Sequence, residues 1–196
     1  MASGTATVTS SKLVLIGGGA RSGKSAYAVQ RALSLGSRRV FIATAEAFDD
    51  EMRARIAAHV AERANEFTTI DAPHDLERAL ETLQNRVDAI DVVLIDCLTL
   101  WLSNLLLADV SAPEIERRVE QLARICETAV FPVLLVTNEV GFGLVPETSL
   151  GRQFRDITGR AHQRLARSAS EVLLAALGCM LQIKPAPVTL VGASWT

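Results

Sequence analysis

The sequence predicts an α/β domain built on a mostly parallel central sheet, and two observations lead to that prediction. Short runs of Val, Ile and Leu without polar alternation recur along the chain, as is typical of strands buried on both faces of a parallel sheet. Segments with the period of a helix separate these runs, so that strands and helices alternate. The predicted strands are Leu13–Ile16, Val40–Ala43, Val92–Ile95 and Val133–Val136.

The segments between and after these strands repeat their apolar residues with the spacing of a helix, three to four positions apart. The predicted helices are Lys24–Ser34, Asp50–Ala64, His74–Val87, Leu98–Ala108, Pro113–Ala129 and Gly151–Ala169.

The C-terminal part of the chain has a different pattern. Two apolar runs, Val172–Leu177 and Met180–Ile183, flank Gly178 and predict a hairpin. Two prolines then predict an irregular tail over Pro185–Thr196. We therefore expect a flexible lead-in over residues 1–11, one folded domain over 12–184, and a tail over 185–196, since 196 residues fit one domain better than two.

Composition excludes several classes of partner. The formal net charge is −2 and no long basic run occurs, so we expect no nucleic-acid partner. No apolar stretch reaches the ~20 residues that span a bilayer, so we expect no membrane insertion. The three cysteines are widely spaced and form no C-x-x-C pair, which predicts reduced thiols in a cytoplasmic protein.

A phosphate-binding loop follows the first predicted strand and precedes the first predicted helix, which is the context that a P-loop requires. In this motif backbone N–H groups surround phosphate oxygens, Lys24 contacts the β- and γ-phosphates, and the Ser25 hydroxyl binds Mg²⁺. A glycine-rich turn that binds nothing is the alternative, and the flanking strand and helix disfavour it. The motif G-x-x-x-x-G-K-[ST] is formed by Gly18, Gly19, Ala20, Arg21, Ser22, Gly23, Lys24 and Ser25.

A P-loop also needs an acidic residue to support Mg²⁺ at the end of a neighbouring strand. Asp96 closes the predicted strand Val92–Ile95 and is the candidate for this role. The alternative is that Asp96 caps the helix beginning at Leu98, because Asp favours N-cap positions. The two roles are compatible.

A histidine lies on the polar face of the predicted helix Asp50–Ala64. Glu51, Arg55, His59 and Arg63 are four residues apart and share one face. Two flanking arginines suit anion binding and favour a neutral, nucleophilic imidazole. From spacing alone, however, an exposed histidine with ion-pair neighbours is favoured over a catalytic one.

Taken together, these motifs closely resemble the bifunctional adenosylcobinamide kinase / adenosylcobinamide-phosphate guanylyltransferase family of cobalamin biosynthesis. The P-loop alone is generic, whereas the D-D-E-M…R-I-x-x-H and N-E-V-G-x-G patterns are much more specific. The similarity covers most of residues 13–184. The matching stretches are Gly18–Ser25, Ile42–Ala45, Asp49–Ile56 with His59 and Arg63, Thr137–Glu147, and Gly151–Ala169.

The resemblance implies a two-step enzyme with a RecA-like P-loop NTPase fold in three layers. ATP or GTP phosphorylates the hydroxyl of adenosylcobinamide; GTP then donates GMP through a guanylyl-histidine to give adenosylcobinamide-GDP. The implied catalytic residues are His59 and Lys24, with Mg²⁺ on Ser25 and Asp96. The implied nucleotide contacts comprise the P-loop with Ala43, Thr44, Ala45, Val60, Ala61, Glu62, Arg63, Asp71 and Asp96.

The resemblance also implies a homotrimer, for which the apolar segment Leu98–Leu107 is a candidate contact surface and equally a candidate core helix. The chain departs from the family pattern in the segment Ala175–Met180 and at four single positions: Ala64 replaces a common Pro, Phe67 a usual Trp, Asp71 a common Glu and His162 a common Asn. Two other functions stay open at this point. One is an ordinary small-molecule P-loop kinase in which His59 is structural, and the other is a non-catalytic nucleotide switch or assembly ATPase.

Overall fold

The computed structural model describes residues 11–46, 66–85 and 89–192. Within these residues an eight-stranded sheet has the order β3-β2-β4-β5-β1-β6-β7-β8. The first six strands in this order are mutually parallel, and β7 and β8 are antiparallel to their neighbours. The strands are β1 Leu13–Gly18, β2 Arg39–Ala43, β3 Thr68–Asp71, β4 Val92–Asp96, β5 Val133–Asn138, β6 Glu171–Ala176, β7 Cys179–Lys184 and β8 Thr189–Gly192.

Helices cover both faces of the sheet. Within the described residues, none of them is long and apolar enough to cross a membrane. The helices are α1 Lys24–Ser34, α2 Leu76–Gln84, α3 Leu98–Leu107, α4 Ala112–Thr128 and α5 Ser149–Ser168.

The core has two layers because successive residues of a strand point to opposite faces. In β1, Leu13 and Leu15 pack in the layer formed with α2, α3, α4 and α5. Val14 and Ile16 pack in the other layer, which contains Ala28 of α1. Both faces of the central strands are therefore apolar, which explains why their sequences lack polar alternation.

The structure confirms the mostly parallel sheet and the strands and helices predicted within the described residues. The bounds of α1 are those predicted, and the hairpin β6–β7 turns at Leu177 and Gly178. Both turn residues have positive φ, 53° and 77°, as a two-residue type I′ turn requires. The predicted helix over 50–64 lies outside the described residues.

The interpretation of the segment Leu98–Leu107 as a contact surface is wrong, and the alternative of a core helix is confirmed. Trp101, Leu102 and Leu105 of α3 are almost completely buried within the chain. Leu107 at the end of the helix is exposed. Within this segment, Leu107 is therefore the apolar residue that stays exposed enough to contact a second copy.

Two strands were not predicted. The prediction of an irregular tail is wrong because Thr189–Gly192 forms β8, which pairs with β7. The strand β3 was missed because it lies at the sheet edge, where Thr68, Thr69 and Asp71 are exposed and no apolar run marks the strand. Edge strands bury fewer side chains, so their sequences carry a weaker hydrophobic pattern.

Candidate nucleotide-binding site

The P-loop connects the end of β1 to the start of α1. Gly23 is the N-cap of α1 and has φ of 88°, a left-handed conformation that glycine adopts without steric cost. A glycine cap provides no side-chain acceptor, so the first-turn N–H groups of α1 can bind an anion. Gly18 and Lys24 are buried, Ser22, Gly23 and Ser25 are half-buried, and Gly19, Ala20 and Arg21 are exposed.

Two polar side chains of this loop are enclosed. Lys24 is only 8% exposed, and its Nζ donates to the Gly19 carbonyl at 3.0 Å. The Ser22 hydroxyl is buried and has no hydrogen-bond partner among the described residues. Buried polar groups are normally hydrogen-bonded, and an enclosed ammonium favours a nearby negative charge. A phosphate group would satisfy both side chains.

Two acidic residues lie at the same edge of the sheet as the P-loop. Ala43, at the end of β2, pairs with Asp71 of β3 on one side and with Asp96 of β4 on the other. The carboxyl ends of parallel strands form the edge where α/β proteins bind ligands. Asp71 is exposed there and Asp96 is half-buried.

The structure corrects the expected placement of Asp96. Its strand, β4, is not adjacent to the P-loop strand, because β5 lies between β1 and β4. The charges of Asp96 and Lys24 are nevertheless both close enough to the thiol of Cys97 to affect its pKa. The pKa of Cys97 is raised to about 11, first by burial and then by the negative charge of Asp96, while the positive charge of Lys24 is among the effects that oppose this rise. The N-cap of α3 is Cys97 itself, so the interpretation of Asp96 as that cap is wrong.

Thr44 anchors the loop that follows β2. Its side chain is fully buried, donates to the Cys97 carbonyl at 2.7 Å and accepts from the Cys97 N–H at 2.7 Å. Its own carbonyl accepts from Asn104 Nδ2 at 2.8 Å. The Thr44 side chain therefore holds this loop against the start of α3, while Ala45 is half-buried at the sheet edge.

Polar residues at the end of β5 complete this edge and were assigned no role from the sequence. Asn138 donates to Thr99 Oγ1 at 3.1 Å, and Thr99 in turn contacts Cys97 Sγ at 3.1 Å. The backbone N–H of Glu139 donates to the carbonyl of Gly18 at 3.0 Å. A sequence signal existed, because polar residues directly after a buried parallel strand are expected at the ligand-binding edge.

Comparison with known proteins decides the family. The family model for cobinamide kinase / cobinamide phosphate guanyltransferase matches residues 14–183. The chain belongs to this family. It is accordingly an enzyme that combines a kinase with a nucleotidyltransferase.

Relatives in this family match over nearly their whole length. The bifunctional adenosylcobalamin biosynthesis protein CobU of Escherichia coli (strain K12) is 38% identical over 184 residues, covering 88% of this chain and 99% of the relative. The bifunctional adenosylcobalamin biosynthesis protein CobP of Pseudomonas aeruginosa (strain ATCC 15692) is 38% identical over 174 residues, covering 89% of this chain and 98% of the relative.

Solved structures that resemble this chain confirm the fold. The structure of an ATPase domain superposes with a TM-score of 0.54 at 13% identity, covering 92% of this chain and 81% of that chain. The RadB recombinase superposes with a TM-score of 0.50 at 16% identity, covering 95% and 84%. The chain thus has a P-loop NTPase fold of the RecA-like kind, as the resemblance implied.

The oxygen donors at this site fit Mg²⁺. Among the described residues, no cluster of three or more His, Cys, Asp or Glu side chains could hold a metal. Mg²⁺ does not need such a cluster, because it binds one or two protein oxygens and takes its other ligands from water and substrate phosphates. Ser25 in the first turn of α1 and Asp96 at the end of β4 supply such oxygens.

The remaining predicted site residues lie outside the described residues. These are His59, Val60, Ala61, Glu62 and Arg63. The family match of residues 14–183 spans them in sequence.

A surface cleft of about 310 Å³ between α4 and α5 lies away from the P-loop. Three of the charged side chains that line it form ion pairs: Arg160 pairs with Glu116, and Arg164 pairs with Glu120 and Glu127 on the same pair of helices. The chemistry of the P-loop edge, rather than the size of this cleft, identifies the candidate site.

Proposed function

We propose that this chain phosphorylates adenosylcobinamide with ATP or GTP and then transfers GMP from GTP to the product, giving adenosylcobinamide-GDP. The observation that carries the proposal is the enclosed Lys24 in a P-loop at the acidic edge of the sheet. The family match of residues 14–183 supports the assignment of both half-reactions. The corrinoid is the small-molecule partner in this proposal, and the protein acts in the cytoplasm.

In the first half-reaction, the P-loop holds the triphosphate. The ammonium of Lys24 and the N–H groups at the start of α1 stabilise the negative charge that the phosphate oxygens carry in the transition state. Mg²⁺, when bound through Ser25 and Asp96, supplies further charge neutralisation. Ala43, Ala45 and Asp71 line the same edge and are the proposed contacts to the rest of the nucleotide.

In the second half-reaction, a neutral imidazole nitrogen of His59 attacks the α-phosphorus of GTP. A phosphorus–nitrogen bond forms, the bond from the α-phosphorus to the bridging oxygen breaks, and pyrophosphate leaves. A phosphate oxygen of the phosphorylated corrinoid then attacks the same phosphorus and releases His59. A histidine nucleophile in this way divides one difficult displacement into two easier ones.

Covalent labelling tests this mechanism. We expect GTP that carries ³²P at the α-position to label the protein covalently, so that the label stays on the protein during denaturing electrophoresis. The bond should be stable in alkali and broken in acid. The label should decrease below pH ~6.5, the pKa of an unperturbed histidine, because only neutral imidazole attacks. The substitution H59A should abolish the label and guanylyl transfer while leaving at least part of the phosphorylation of adenosylcobinamide.

The matched control is H74A. His74 pairs with Glu46 at 3.3 Å and is partly exposed, so its loss should leave the label intact. Label that persists in H59A, or that maps to another residue, would contradict the proposed nucleophile. A protein that phosphorylates adenosylcobinamide but never takes up label would be an ordinary kinase.

A further inference from the structure

Glu139 follows β5 at the edge of the sheet that carries the P-loop. The preceding residue, Asn138, pairs in register with Gly18, the first glycine of the P-loop. The Glu139 N–H donates to the Gly18 carbonyl at 3.0 Å. The backbone of Glu139 is therefore bonded directly to the phosphate-binding loop, 121 positions earlier in the chain.

The carboxylate of Glu139 is held from two sides. Its Oε1 accepts from the N–H of Gly141 at 2.5 Å, and its Oε2 lies 3.7 Å from Nδ1 of His162 on α5. The side chain is 26% exposed, so it stays accessible while its orientation is restrained. An oriented, accessible carboxylate beside a phosphate-binding loop can accept a proton from a bound substrate.

His162 is in turn fixed by a buried hydroxyl. Its Nε2 lies 2.7 Å from Oγ1 of Thr137, a residue of β5 that is only 2% exposed. Burial lowers the pKa of His162, and the negative charge of Glu139 opposes this shift. A neutral imidazole has one donor and one acceptor nitrogen. Because a carboxylate faces Nδ1, we infer that Nδ1 carries the hydrogen and Nε2 accepts from the Thr137 hydroxyl.

We propose that Glu139 is the general base of the phosphoryl-transfer step and that His162, supported by Thr137, is its positioning residue. The proposal rests on the proposed kinase function and adds the group that activates the acceptor. The acceptor hydroxyl gives its proton to a Glu139 oxygen, and its oxygen forms a bond to the γ-phosphorus. The bond between the γ-phosphorus and the β–γ bridging oxygen breaks, the electron pair leaves with the nucleoside diphosphate, and Glu139 returns the proton to water.

The competing explanation is structural: Glu139 only closes the turn at Gly141. The substitution E139Q separates the two, because glutamine keeps an acceptor oxygen for the Gly141 N–H but is no base. We expect kcat for phosphorylation of adenosylcobinamide to fall by about 100-fold or more, since general-base catalysis contributes about 10²–10⁴-fold. The KM for the nucleotide should stay within about twofold. Guanylyl transfer to adenosylcobinamide that has already been phosphorylated should be unchanged.

The matched control is E147Q, an exposed glutamate in the same loop, for which both activities should equal those of the parent. Unchanged phosphorylation in E139Q would overturn the proposal. So would an equal loss of both half-reactions together with a lowered melting temperature, because a structural role predicts that result. A parent protein that never phosphorylates adenosylcobinamide would instead refute the proposed function.

Variants of His162 test the positioning role. We expect H162A to lower kcat for phosphorylation by roughly 10- to 100-fold, the scale on which misplacement of a catalytic group acts. H162N should restore most of this loss, because its amide can still donate toward Glu139. Adding H162A to E139Q should cause little further loss, since residues that act as one unit are not additive. Fully additive losses in the double variant, or no rescue by asparagine, would remove the positioning role.

Discussion

Replacing Gly18 with alanine would place a methyl group where the structure has no room for one. Its Cβ would lie 2.7 Å from the carbonyl oxygen of Ala175, 2.7 Å from Ser22 Oγ and 2.9 Å from the Ala175 Cβ. A Cβ atom essentially never lies within 3.0 Å of a non-bonded heavy atom, so all three are clashes. The Ala175 carbonyl belongs to the backbone of β6, which pairs with β1 at Gly18, so relief requires the two strands to separate.

The size of the effect follows from overpacking. Extra methyl groups in well-packed interiors typically cost about 1–3 kcal/mol. In a protein of 150–250 residues each kcal/mol corresponds to roughly 2–4 °C in melting temperature, so we expect G18A to melt about 2–12 °C below the parent. GTP affinity should also fall, because the clash displaces Ser22 and the start of the P-loop.

Gly19 provides the matched control. A Cβ at Gly19 would have no heavy atom within 4 Å, so G19A should change the free energy of unfolding by no more than about 0.5 kcal/mol. Thermal and urea denaturation, followed by circular dichroism without nucleotide, would measure both variants. Equal stability of G18A and G19A would refute the close packing of β1 against β6 at the P-loop.

Three further predictions concern nucleotide binding, stability in acid and the oligomeric state. K24A should weaken GTP binding by about 1.5–3 kcal/mol in calorimetry, because a charge-assisted contact to phosphate is lost, and unchanged binding would contradict the P-loop assignment. The Arg38 guanidinium and the backbone N–H groups of Arg38 and Ser37 lower the pKa of Asp91 to about 2. Since this value lies below the unfolded pKa of ~3.9, the stability that Asp91 contributes is present above pH ~4 and is lost as the pH falls towards 2. The urea midpoints of D91N and the parent should therefore converge as the pH falls from about 4 to about 2. A difference in midpoint that stays constant over this range would exclude the linkage. The family resemblance implies a homotrimer, so we also expect light scattering at micromolar concentration to give three times the chain mass, and a monomer mass would contradict this expectation.

The sequence by itself determined the central strands, the helices of the described residues, the hairpin β6–β7 and the P-loop. Each of these depends on neighbours in the chain: an apolar run, a helical repeat, or a glycine between two strands. The bounds of α1 were predicted correctly because the P-loop marks its first residue. The edge strands β3 and β8 were missed because each has a neighbouring strand on one side only, and edge strands carry a weaker local hydrophobic pattern.

The tertiary structure alone decided which strand lies beside the P-loop. The insertion of β5 between β1 and β4 moves Asp96 one strand further away and brings Glu139 to Gly18. It also brings Thr137 of β5 into contact with His162 of α5, and no helical or strand periodicity in the sequence predicts this contact. These contacts depend on the order in which strands assemble. That order follows from how the whole chain buries its apolar surface rather than from any local pattern.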